Sequence, residues 1–153
     1  MVTFQRASIT YIKLTQIYTY TMNNSAFEIY ENWFKVNGLI YNIDNDDDLH
    51  FKYKTCNFFI LNPKEDAQFL HIILPNIWAI NSPEEYADAL EVANELNAGR
   101  KALKVFLTRT NTFLSIEMFI DKTPDVEDFM ERLLDILIEG RQMFVQEMYS
   151  RQS

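Results

Sequence analysis

Between Ser82 and Met148 a capped helix, an alternating hairpin and a second long capped helix follow one another with almost no slack. That succession restricts the chain to folds that pack helices on an antiparallel sheet. In the hairpin, Leu103, Val105 and Leu107 alternate with Lys104, Phe106 and Thr108. In its return strand, Leu114, Ile116 and Met118 alternate with Phe113, Ser115, Glu117 and Phe119. Alternation with period two means two distinct faces. With Thr110 and Asn111 at the tip, Leu107 opposes Leu114, Val105 opposes Ile116 and Leu103 opposes Met118. One face is then apolar, and the other sets Lys104 directly across from Glu117, a pair that sheets favour. A loop from Arg109 to Thr112 leaves this register unchanged.

Both flanking helices have mechanical start signals. Ser82, Pro83 and Glu85 read as N-cap, first-turn proline and capping-box acid; Thr123, Pro124 and Asp125 give the second start. The first helix presents Tyr86, Leu90, Ala93 and Leu96 to the core and stops near Asn97 and Gly99. The second presents Phe129, Leu133, Ile136, Leu137, Phe144 and Met148 over about six turns, with Gly140 permitting close packing. Upstream, Ser25 and Glu28 form another capping box, before Phe27, Tyr30, Trp33, Phe34 and a terminating Gly38. Leu49, Phe51 and Tyr53 then oppose Ile60, Phe58 and Cys56 if Lys54 and Thr55 form the turn. A further strand is expected from Gln68 to Leu74, and a short one within Leu39 to Ile43.

The fold class is therefore α+β: a helix, an antiparallel strand meander, a helix, a two-stranded hairpin and a long C-terminal helix. With 153 residues, 48% of them hydrophobic, the chain can bury the core of one domain, expected over residues 25–150. Residues 1–24 are expected to form a separate N-terminal extension or arm. They contain no acid, no secretory core and no apolar run long enough to span a membrane. The run from Ile9 to Tyr20 suits an edge strand or arm, and Met22, just before the Ser25 cap, suits an alternative start. A net charge of −8 argues against nucleic acid and against an anionic membrane surface as partners. The single cysteine, Cys56, is expected as a small buried hydrophobe in a cytoplasmic protein.

Three constellations invite a sharper function. Asp44, Asp46 and Asp48 have the spacing that opens a calcium loop, but Leu49 stands where that loop needs glycine and Thr55 where it needs glutamate. A solvated turn is the better account. His50 and His71 are expected on the second face of the meander with Phe59 between them, lacking a cysteine or nearby carboxylate to complete a metal site. Acid pairs such as Glu84 with Glu85 and Glu127 with Asp128 fall in first helical turns, where the helix dipole accounts for them. The sequence has no nucleophile elbow and no glycine-rich phosphate loop. No catalytic, cofactor-binding or metal-binding residue is expected, no cofactor, and the chain reads as a non-enzyme.

The candidate functional surface is the second sheet face. Phe106, Phe113 and Phe119 from the hairpin, with Phe59, Leu61 and Phe69 from the meander, are expected there. Together they would form an apolar patch larger than a monomer usually exposes.

The segment Glu91-Val92-Ala93-Asn94-Glu95-Leu96-Asn97, the strand Lys101 to Leu107, its return strand and the long last helix resemble the YbjN-like family of bacterial proteins assigned to sensory transduction regulation. So do Leu49-His50-Phe51-Lys52-Tyr53 after the Asp-rich turn, and His71-Ile72-Ile73-Leu74-Pro75 before the middle helix. The resemblance covers roughly Ser25 to Met148. It implies a fold like that of type III secretion chaperones, often dimeric and used to bind other proteins, and it implies no catalytic residues. The expected function is a protein-binding module, chaperone-like or regulatory, holding an unidentified protein or peptide segment. The alternative is a structural homodimer with no further partner; a small-molecule or metal-dependent enzyme ranks third.

Overall fold

The computed structural model describes residues 25–152. The arm, edge strand or start at Met22 expected within the first two dozen residues falls outside the described residues. So does the side chain of the expected Ser25 cap.

Helix α1 (Ser25–Val36) buries Phe27, Tyr30, Trp33 and Phe34, which recur at helical spacing. It ends where Gly38 takes φ 64° and the Leu39 N–H donates to the Phe34 carbonyl at 2.9 Å. Glycine reaches that left-handed conformation without the Cβ penalty, so the helix stops there. Strands β1 (Tyr41–Ile43), β2 (Leu49–Tyr53) and β3 (Cys56–Ile60) follow as a meander. The acidic turn between β1 and β2 is held by Asp44, whose Oδ1 accepts from the Asp46 and Asp48 N–H groups at 2.9 and 3.0 Å. Asp47 supplies a φ of 63°, which aspartate tolerates better than most residues. The aspartates thus build a turn, as expected. β2 and β3 pair in the expected register, Leu49 with Ile60, Phe51 with Phe58 and Tyr53 with Cys56.

Strand β4 runs from Phe69 to Ala79, five residues beyond the expected end at Leu74. Pro75 does not stop it, because the ladder to its neighbour breaks between Leu74 and Trp78, and Asn76 at φ 54° absorbs the irregularity. Ser82 then caps helix α2 (Pro83–Gly99), accepting from the Glu85 N–H at 3.1 Å. The Glu85 carboxylate reaches back one residue further than a capping box requires, accepting from the Asn81 N–H at 2.7 Å and the Trp78 indole at 2.9 Å. Those donors hold its carboxyl below the usual glutamate range, the Asn81 backbone bond most of all. The buried side of α2 is Ala89, Val92, Ala93 and Leu96; Leu90, expected in the core, lies exposed.

The hairpin of β5 (Lys104–Leu107) and β6 (Asn111–Phe119) forms with its faces as expected but slipped by two residues. Val105 pairs with Leu114, Leu107 with Thr112 and Lys104 with Ser115; Leu103 precedes the strand, and Met118 pairs with Leu70 instead. The cause is a tighter tip. Thr108 and Asn111 close it through the Thr108 N–H to the Asn111 carbonyl at 2.8 Å, with the Thr108 hydroxyl accepting from the Asn111 N–H at 3.1 Å. A slip of two keeps every side chain on its face, whereas a slip of one would invert them all.

The last helix also starts differently from expectation. Asp125, not Thr123, caps a 3-10 turn (Val126–Asp128), accepting from the Glu127 N–H at 3.3 Å, and helix α3 (Met130–Arg151) follows. Met130, Leu134 and Gly140 join Leu133, Leu137, Phe144 and Met148 on its buried side, while Phe129 and Ile136 are only half-buried. No helix among the described residues is long and apolar enough to cross a membrane.

The described strands form one sheet in the order β1-β2-β3-β4-β6-β5, antiparallel throughout. All three described helices lie on one side of it. Phe34 of α1 packs on Tyr41 and Phe51 at 5.1 and 4.8 Å between ring centroids, Tyr149 of α3 meets Trp78, and Gly140 lies against Leu103 and Leu114. Cys56 is buried on this side. The core is therefore a helix layer on one face of a sheet.

Candidate interaction surface

The opposite sheet face is carried by the residues that alternate with the core. Across the strands, His50 stands beside Phe59, Phe59 beside Ile73, and Ile73 beside Ser115, which neighbours Lys104. One step along, His71 is directly opposite Glu117 and Phe69 directly opposite Phe119; at the hairpin end Phe106 faces Phe113. Backbone pairing thus brings five of the six expected residues onto one face. Leu61 continues it just past β3, where its N–H donates to the His71 carbonyl at 3.0 Å. No described helix packs on this side.

The aromatic rings form separate contacts rather than one sheet of apolar surface. His50 stacks on Phe59 with centroids 4.7 Å apart and planes at 21°. Phe69 meets Phe119 edge-on at 5.6 Å. Phe106 stacks on Phe113 at 5.2 Å and 11°. These are separations at which aromatic pairs attract beyond their area burial. Phe119 is 77% exposed, whereas Phe59, Leu61, Phe69, Phe106 and Phe113 are half-buried.

Between the aromatic groups runs a polar line that sequence reasoning only partly anticipated. Lys104 Nζ donates to Glu117 Oε1 at 2.6 Å, reaching diagonally because Ser115, not Glu117, is its direct neighbour. His71 Nε2 lies 3.4 Å from the same carboxylate oxygen. The expectation that no carboxylate stands near His71 is therefore corrected. Glu117 comes from a strand 46 residues away along the chain, and only the β4–β6 register shows the pairing. The Lys104 bond holds the Glu117 carboxyl below the usual range. Burial pushes the His71 imidazole below the ordinary histidine value, outweighing the pull of Glu117, and so favours its neutral form. Among the described residues no three His, Cys, Asp or Glu side chains converge as a metal site would require.

Charge is distributed unevenly over the molecule. The sheet face carries Lys52, Lys104 and Glu117, whereas the helix side carries Glu91, Glu95, Glu127, Asp128, Glu131, Asp135, Glu139 and Glu147 against the fewer bases Arg100, Arg132, Arg141 and Arg151. Arg151 answers part of this acidity through Glu91 at 2.7 Å and Glu95 at 3.1 Å. An apolar groove of about 300 Å³ between α2 and α3, lined by Val92, Leu96, Arg100 and Met143, lies on that acidic side.

No family's sequence profile and no curated protein matches the chain. Solved structures do. YbjN of E. coli, described as a candidate transcription regulator, superposes with a TM-score of 0.57 at 12% identity, over 82% of this chain and 93% of that one. The chain has the YbjN fold. An uncharacterized protein from Methanothermobacter thermautotrophicus superposes equally well, with a TM-score of 0.59 at 15% identity over 82% of this chain and 98% of that one. The YbjN fold accounts for the expected order of helix, meander, helix, hairpin and helix. At these identities it carries the backbone and not the chemistry of a site.

Proposed function

We propose that the protein is a non-catalytic binding module, chaperone-like or regulatory, that holds a segment of a partner protein against the sheet face opposite its helices. The observation that carries this reading is the arrangement of Phe69 with Phe119 and Phe106 with Phe113 on a face that no described helix covers. Aromatic side chains at a surface are the anchors around which protein interfaces are built. The polar line of His71, Glu117 and Lys104 between them supplies hydrogen-bonding groups that would set the register of an occupant. A candidate regulator with the same fold is consistent with this role. A catalytic role is set aside on the sequence, which offers no activated nucleophile and no phosphate loop. The reading includes a cytoplasmic location, supported by the lone cysteine.

A second reading, a homodimer that consumes the face with its own twin, is favoured by the charge distribution. Two copies meeting through their helix sides would bring acid against acid, whereas the sheet faces bear few charges of mixed sign. Light scattering with a partner pull-down separates the two. Under the first reading the wild-type protein retains a discrete partner that Phe119→Asp releases. A dimer that captures nothing, and that Phe119→Asp splits into folded monomers, would replace the first reading with the second.

A further inference from the structure

The outer edge of β5 bears no neighbouring strand among the described residues, and an open strand edge is a template for pairing with another chain. One side chain occupies that edge. Asn97, near the end of α2, accepts from the Val105 N–H through Oδ1 at 2.7 Å and donates from Nδ2 to the Val105 carbonyl at 3.1 Å. In an antiparallel ladder the N–H and C=O of one residue point to the same side. Both groups of Val105 are taken by Asn97, so they point away from β6, and Val105 with Leu114 is the pair that exchanges no bonds across the hairpin. The Asn97 amide offers one acceptor and one donor at the positions where the next strand would present a carbonyl and an N–H. It stands in for that strand.

We propose that Asn97 is an edge plug that prevents strand addition at β5, by a second copy of this chain or by an extended segment of a partner. The role is independent of the binding face, since the plug occupies the edge at Val105 and leaves the sheet's open side untouched. It also joins the C-terminal end of α2 to the sheet, across the turn in which Ala102 adopts φ 62°. Asparagine suits the task because its amide carries both hydrogen-bonding functions; aspartate would keep the acceptor alone, and leucine neither.

Amide hydrogen exchange on the wild-type protein tests the plug with no substitution at all. The Val105 N–H should be protected as well as that of Phe106, although it faces outward from the sheet. In Asn97→Ala the Val105 amide should exchange on the order of tenfold faster or more, with Phe106 far less affected, as the loss of one hydrogen bond requires. Sedimentation across a concentration series should show Asn97→Ala and Asn97→Leu associating beyond the wild-type state, with Asn97→Asp between them. If alanine prevents folding, the aspartate variant and the wild-type exchange pattern carry the test. An unprotected Val105 amide in the wild type would overturn the proposal, and so would folded variants that sediment as the wild type does at every concentration.

Discussion

Gly140 marks a close approach of α3 to the sheet. A Cβ built there would stand 2.8 Å from Leu103 Cδ2 and 3.3 Å from Leu114 Cδ1, inside van der Waals contact with side chains that are themselves buried. Gly140→Val should therefore overpack this point and cost about 1–3 kcal/mol, measured as a lower denaturant midpoint with an unchanged slope. His71 makes a prediction of a different kind. Its folded-state pKa lies below the ordinary histidine value because of burial, so the unfolded chain binds the proton more tightly. Its contribution to stability is complete above pH of about 6.5 and is lost as pH falls through the lowered folded value. Thermal melts at pH 7.5 and 5.5 should show a drop in Tm that His71→Gln reduces. The same sign applies to Glu85 and Glu117, whose lowered carboxyl values place their losses in a more acidic window. An unchanged pH dependence in His71→Gln would assign the drop to other groups.

Secondary elements were legible in proportion to how local their determinants are. The β2–β3 register followed from alternation plus a two-residue turn, and the structure pairs Leu49 with Ile60 as that reasoning requires. Alternation alone also placed the β5–β6 side chains on the right faces, but the tip depends on the Thr108 to Asn111 bonds, and the register moved by two. The continuation of β4 past Pro75 rests on a bulge, which nothing in the local pattern announces. Nor could the His71 and Glu117 pairing be read locally, since it needs β4 beside β6. Caps divide the same way. Ser82 followed by proline is unambiguous, whereas Thr123 and Asp125 compete, and Asp125 wins because a 3-10 turn precedes α3. Ser82→Ala should cost about 1 kcal/mol of stability, read from chemical denaturation, by freeing the Glu85 N–H. Thr123→Ala, with no capping bond to lose, should leave the midpoint within error of wild type.

The whole molecule is a sheet with its described helices on one face, and its proposed function depends on which chemistry the other face meets. The helix side carries more acids than bases, while the sheet face gathers aromatic rings around the Lys104, Glu117 and His71 line. Phe106 is the decisive residue, because its ring is stacked on Phe113 and half-buried without belonging to the helix-side core. The most direct test is equilibrium unfolding of Phe106→Asp combined with its sedimentation and partner retention. An interaction face predicts a folded protein that loses association and gives up no more than about 1.5 kcal/mol, the worth of one aromatic pair. A loss of several kcal/mol with no soluble folded protein, as a charge buried in a core demands, would contradict it.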